Sequence, residues 1–180
     1  GIKVIPCYYK KDYPEWSDRG DGPGAPVAVH LPNSPVIQTG KRDGSKIRLP
    51  NGNYLEETAS YYVLVETKAG GMTPALITMK STQLNVSKKW NSMMKTIQIP
   101  DGKGGMAIPP MHGVVYNLQS VLQKNDKGSW YGWSVTQDRI MGQKDKSLYL
   151  TAKDFNSTAS KGNVQTKADV EEKAKDNTPY

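Results

Sequence analysis

A chain of 180 residues has room for one domain with a proper core and a short tail. At 36% hydrophobic content and a mean hydropathy of −0.65, it has no apolar run near the roughly 18–20 residues of a membrane-spanning helix, and its lone Cys7 excludes an internal disulfide, as suits a reducing compartment. The net charge of 24 − 17 = +7 is uneven: residues 1–79 give 9 − 8 = +1, residues 80–160 give 11 − 5 = +6 and residues 161–180 give 4 − 4 = 0, so a polyanionic partner would meet the middle of the chain.

Residues 2–9 read as a first strand, with Pro6 marking an edge or a bulge, and residues 12–16 continue it. Because the chain opens on Gly1 directly before this strand, an N-terminal part is expected ahead of it. Residues 19–26 are a Gly- and Asp-rich loop; the Arg19-Gly20-Asp21 within it, a tripeptide of integrin ligands, is taken as chance. Residues 27–31 and 36–39 are short candidate strands bounded by Pro. Asp43-Gly44 and Asn51-Gly52 are hairpin turns around Lys46-Ile47-Arg48-Leu49. A small β-ribbon carrying Lys41, Arg42, Lys46 and Arg48 is expected there. Residues 60–67 alternate Tyr62 and Leu64 with Tyr61, Val63 and Val65, so both faces are apolar and the strand is central. Gly70-Gly71 turns the chain, and residues 74–79 return as its partner.

The clearest helix runs over residues 79–97. At about 100° per residue, Val86, Trp90, Met93, Met94 and Ile97 form one stripe. Lys88, Asn91, Ser92 and Lys95 take the other side, with Lys89 at the border. Ser81 or Thr82 is the expected cap, and Pro100 closes the end. Residues 101–110 are a Gly- and Pro-rich loop. Residues 112–123 read as a long strand, Asn125-Asp126-Lys127-Gly128 as a hairpin turn, and residues 129–136 as the returning strand. Over 145–160 a second helix puts Leu148, Ala152, Phe155 and Ala159 on one face and ends at Gly162. Residues 161–180 are polar and expected to form a mobile tail. The pattern is mainly β with two helices: an OB-fold-like small barrel over residues 1–160 with an inserted amphipathic helix. A β-sandwich with attached helices is the alternative.

The residues favour binding over catalysis. His30 and His112 are far apart and there is one Cys, too few for a Cys/His metal site; no cofactor is implied. No Gly-x-Ser-x-Gly elbow is present. Gly102-Lys103-Gly104-Gly105 lacks the Ser or Thr and the strand–loop–helix frame of a phosphate loop. Glu66-Thr67-Lys68 at the end of an apolar strand, with Asp43 as the upstream acid, is the pattern of a Mg²⁺-dependent PD-(D/E)xK-type nuclease and stands as a minor alternative. Unpaired nucleic acid, by contrast, stacks its bases on aromatic rings for roughly 1–3 kcal/mol each while cations track its backbone. On residues 129–136, Tyr131 and Trp133 are expected in the core and Trp130 on an open face, with Gly132 leaving room for a flat ring. Trp90 is expected in the core.

Lys80-Ser81-Thr82-Gln83-Leu84 continuing to Ser87-Lys88-Lys89-Trp90-Asn91-Ser92-Met93-Met94, and Asn125-Asp126-Lys127-Gly128-Ser129-Trp130-Tyr131-Gly132-Trp133, together with Pro109-Pro110-Met111 and Leu148-Tyr149-Leu150-Thr151-Ala152-Lys153, resemble a family of small proteins from tailed bacteriophages. The resemblance spans nearly all of residues 1–160. Members look like single-stranded DNA-binding proteins of phage replication and recombination, many known only as hypothetical proteins. It implies single-stranded DNA and phage replication proteins as partners, in the cytoplasm of the infected bacterial host, with a homo-oligomer left open and no membrane. It carries no residue-level site. The contacts expected from charge and ring placement are Arg48, Lys80, Lys88, Lys89, Lys95 and Lys127 on phosphates, and Trp130 with Tyr116 or Tyr61 on bases. The tail ends in Tyr180 but is not acidic, unlike the tails that recruit replication partners. A protein-binding accessory or virion-associated module is the alternative.

Overall fold

The computed structural model describes residues 1–18, 24–126, 128–162 and 164. The Arg19-Gly20-Asp21 tripeptide, Lys127 and nearly all of the expected tail lie outside the described residues. In chain order the elements are β1 (Ile2–Trp16), β2 (Ala28–His30), α1 (Val36–Thr39), β3 (Lys41–Asp43), β4 (Lys46–Arg48), β5 (Tyr54–Glu56), β6 (Thr58–Glu66) and β7 (Met72–Lys80). There follow α2 (Leu84–Thr96), β8 (Ile99–Pro100), β9 (Met106–Ala107), β10 (Val114–Asn125), β11 (Gly128–Ile140) and α3 (Lys146–Ser160).

One strand organises the sheet. The first half of β1 is flanked by β10 on one side and β6 on the other, and β7 and β11 extend the two flanks. The resulting order, β7-β6-β1-β10-β11, with α2 inserted between β7 and β10, is that of an OB-fold-like barrel. Among the described residues β7 and β11 pair with β6 and β10 alone, so the sheet is a curled half-barrel with an open seam. The second half of β1 leaves this sheet and pairs with β2 and β5, which begin a small lobe inserted between β1 and β6. Asn51, Asn53 and His30 tie the lobe to the Glu15 carboxylate at 3.1, 2.6 and 2.7 Å.

The expected bulge at Pro6 is present, because the register with β6 skips a residue between Pro6 and Tyr8. The carbonyl of Cys7, the residue skipped, accepts a hydrogen bond from the Asn156 side-chain amide of α3, so the irregularity is satisfied and not left bare.

Each face of the sheet has its own cover. Val4, Ala59, Tyr61, Val63, Val114, Tyr116 and Leu118 point to the concave side and pack on Trp90 and Met94 of α2 and on Ile97 just after it. Ile5, Cys7, Leu64 and Val115 point to the convex side and pack on Ala152, with Leu148 and Phe155 of α3 beside it. A third cluster, Ile47, Leu49 and Leu55, holds the inserted lobe.

Three local expectations are corrected. Residues 36–39 form a helical turn and not a strand: Pro35 holds φ at −58° in the helical region, and Thr39 Oγ1 donates to the Val36 carbonyl. The helix begins at Leu84, because β7 runs on to Lys80 and a 3₁₀ turn, Ser81–Gln83, intervenes. Neither Ser81 nor Thr82 caps it; Gln83 holds the N-cap position without a side-chain bond.

Candidate nucleic-acid interface

α3 covers only part of the convex face. Beyond it the register of β1, β6 and β7 lines up three cross-strand rows: Tyr8–Tyr62–Leu76, Lys10–Ser60–Thr78 and Asp12–Thr58–Lys80. Alternation puts all three rows on the side opposite Tyr61. Tyr8 and Tyr62 are half-buried, and Leu76, Thr78 and Lys80 are exposed. The two tyrosine rings lie 5.8 Å apart, tilted by 47°, and the Lys10 ammonium stands 6.0 Å from the Tyr62 ring centroid. Partial burial works against the Lys10 charge, but the hydrogen bond and charge of Asp12, 3.1 Å away, prevail and raise its pKa. The row of rings is thus backed by a permanent cation.

The inserted lobe borders this face. The Lys80 ammonium lies 2.9 Å from Glu56 of β5, and Glu56 stands opposite Lys46 of β4. Lys46 sits 3.6 Å over the Tyr54 ring, with the Arg48 guanidinium 5.5 Å from the same ring. Arg48 is held by two carboxylates, Asp18 at 3.2 Å and Asp43 at 3.4 Å. Lys41 and Arg42 beside it are exposed.

The expected site residues therefore fall into separate groups. Arg48 and Lys80 lie at the border of the convex face. Lys88, Lys89 and Lys95 are exposed on α2, which covers the concave face, and have no ion pair among the described residues. Lys127 is outside the described residues. Tyr61 and Tyr116 do not form an open face: both are fully buried. They share the concave side with Ala59, Val63, Val114 and Leu118, where α2 meets them, and Trp90 stacks on Tyr61 at 4.3 Å and meets Tyr116 edge-on at 5.6 Å. Burial pushes the Tyr116 hydroxyl up to about 12, and it has no hydrogen-bond partner. Trp90 is core, as expected.

The β10–β11 hairpin reverses another expectation. Tyr131, expected inside, is 72% exposed, and its cross-strand neighbour Leu122 is 62% exposed, because the hairpin runs beyond the core that covers its base. Trp133 packs on the core edge as expected. Trp130 is half-buried in an open cleft of about 320 Å³ beside Ser81 and Thr82. The site residues missed from the sequence are Tyr8, Lys10 and Tyr62. A partial signal for Tyr62 was there: Tyr61 shares its strand face with Ala59, Val63 and Val65, all apolar, whereas Tyr62 shares its face with Leu64 and with the polar Thr58, Ser60 and Glu66.

The nuclease pattern is not assembled. Glu66 ends β6 at the far side from the β3–β4 ribbon that carries Asp43, and among the described residues no three His, Cys, Asp or Glu are grouped to hold a metal ion.

Residues 1–165 match the family described as Pam3 phage gp34-like protein. The chain belongs to that family of phage proteins. No curated protein and no solved structure matches it. Among the described residues of this family member, no helix is long and apolar enough to cross a membrane.

Proposed function

We propose that this phage protein binds single-stranded DNA in replication or recombination, in the cytoplasm of the infected bacterium, by base stacking and phosphate contacts and without catalysis. The observation that carries the reading is the row Tyr8–Tyr62–Leu76 on the convex face, with Lys10 over it and Lys80 below. In an OB fold the second and third barrel strands, here β6 and β7, form the oligonucleotide face, flanked by the loops after the first and fourth strands. Here those loops are the inserted lobe, with its exposed Lys41 and Arg42, and the end of the β10–β11 hairpin, with Tyr131. Flat rings accept any base, and the cations beside them accept any phosphate, so little sequence preference is expected.

Titration of the protein with oligo-dT at several salt concentrations tests this. Log K should fall with log salt by about 0.7 per phosphate contact. Tyr62→Ala should weaken binding between about fivefold and a hundredfold, the span of one lost stack. Absence of binding at about 50 mM salt, or a Tyr62→Ala protein that binds as well as the parent, rejects the proposal.

A further inference from the structure

A second concavity lies on the concave side, at the open seam of the half-barrel. Between α2 and the β10–β11 hairpin is a cleft of about 360 Å³, walled by Val86, Met93, Val121, Trp133 and Val135, with Lys89 at its rim. That volume falls at the lower end of the roughly 300–1,000 Å³ of ligand pockets. The walls are mainly apolar, with Gln123 and Ser134 as polar members, and of the two indoles Trp90 is fully buried, which leaves Trp133 as the ring within reach. Phosphates gain nothing from valine and methionine, and a run of bases needs more than one flat ring. The cleft therefore differs in kind from the Tyr8–Tyr62 face.

Its borders have two further properties. Along one side runs β11, which among the described residues pairs with β10 alone and so keeps an open edge. An open edge offers backbone donors and acceptors to an extended chain. Part of it is already taken: the Trp133 N–H donates to Gln83 Oε1 at 2.8 Å. The edge beyond, from Val135 to exposed Thr136 and Gln137, is where a new strand would pair. Along the other side runs α2, whose Lys89 reaches the rim, exposed and without an ion pair among the described residues. A bound strand sends every second side chain to one face. The cleft takes apolar residues at those positions, and Lys89 at the rim attracts carboxylates at the others.

We propose that the cleft between α2 and β11 docks an extended acidic peptide of a partner protein, with apolar residues at alternate positions. This goes beyond DNA binding and uses the opposite face of the sheet.

The probe is a fluorescein-labelled octapeptide alternating glutamate with leucine, titrated into the full chain and read by anisotropy. A second peptide carries lysine in place of glutamate. The acidic peptide should bind with a Kd below about 1 mM, and the basic one at least tenfold more weakly. Lys89→Glu, an exposed change, should weaken the acidic peptide about tenfold, through one attraction lost and one repulsion gained. Amide shifts in isotope-labelled protein should concentrate in residues 86–93 and 133–137 and spare Tyr62. Failure of the acidic peptide to saturate, equal binding of both peptides, indifference to Lys89→Glu, or displacement of the peptide by oligo-dT would each overturn the assignment. Tyr62→Ala reads the DNA face and Lys89→Glu the peptide cleft, so either proposal can fail without the other.

Discussion

Tyr61 and Tyr62 are neighbours in the chain and belong to different environments. The Tyr61 hydroxyl lies 2.7 Å from Ser87 Oγ of α2 and donates to the Ser87 carbonyl at 3.1 Å. Tyr62 lies on the other side of the sheet against Tyr8, under the Lys10 ammonium. One ring fixes the helix to the barrel. The other is placed to meet a ligand.

The same truncation should therefore have opposite consequences at the two sites. Tyr61→Ala removes a fully buried ring from a stack with Trp90 and should cost about 3–5 kcal/mol of stability. Tyr62→Ala should cost about 1 kcal/mol or less, while its loss appears in oligo-dT affinity. Urea unfolding of both variants, alongside the titration, checks this. A larger stability loss at Tyr62 than at Tyr61 would contradict the assigned faces.

Gly132 is fixed by a side chain from another element. Gln83 crosses the hairpin there, with Oε1 on the Trp133 N–H and Nε2 donating to Gln123 Oε1 at 3.4 Å. A Cβ on residue 132 would stand 2.2 Å from Gln83 Nε2. Because that atom ends a flexible side chain, the amide swings away and the backbone bond is what is lost. Gly132→Ala should cost about 1 kcal/mol. In a Gln83→Ala background the same change should cost less, since the bond is already absent. A double-mutant cycle measures the difference, and strict additivity would rule out the latch.

His112 predicts an acid-sensitive core. Both ring nitrogens are buried without hydrogen-bond partners, and Tyr149 of α3 lies against the ring at 5.2 Å. Burial, with the nearby positive charge of Lys153, lowers its pKa below the ordinary 6.5. The unfolded chain therefore takes up a proton at a pH where the folded one does not. The stability associated with neutral His112 is present above about pH 6.5 and is lost as pH falls from there towards the lower folded value. Unfolding midpoints between pH 8 and 5 should show the decline. His112→Phe, which cannot charge, should flatten that part of the curve; an unchanged slope would place the sensitivity elsewhere.

Glu15 also loses its contribution on acidification, but in a lower pH range. Hydrogen bonds from Asn53 first, then His30 and Asn51, hold its pKa below the ordinary value. Its contribution is present above about pH 4.3 and is lost as pH falls through the lowered folded pKa. Glu15→Gln should loosen the inserted lobe before the barrel. Hydrogen exchange should quicken at the amides of β2 and β5 and leave β6 unchanged. Equal protection of the lobe in variant and parent would show that this network does not hold it.

Much of the fold was legible from residue order. Gly44 and Gly52 sit at φ +60° and +90° in the two turns of the ribbon, conformations that glycine adopts without a steric penalty. Pro6 marks a bulge because it has no N–H for the ladder. The stripe Leu148, Ala152, Phe155 and Ala159 has the spacing of a helix face, and α3 docks on the convex face through it. The candidate site was less legible. The rings chosen from the pattern, Tyr61 and Tyr116, belong to the core, and the row on the open face begins with Tyr8, 62 − 8 = 54 residues from Tyr62.

The amino-acid order alone set the strand and helix periods, the turns, the basic bias of residues 80–160 and hence the class of fold. It did not set which side of the central strand is interior. β6 is apolar on both faces, and on such a strand inside and outside differ by a single residue step. Two helices far apart in the chain decide the matter: α2 closes over Tyr61, and α3 stops short of Tyr62. That outcome depends on what packs against each face, a non-local property, so the rings left accessible were settled only when the chain folded.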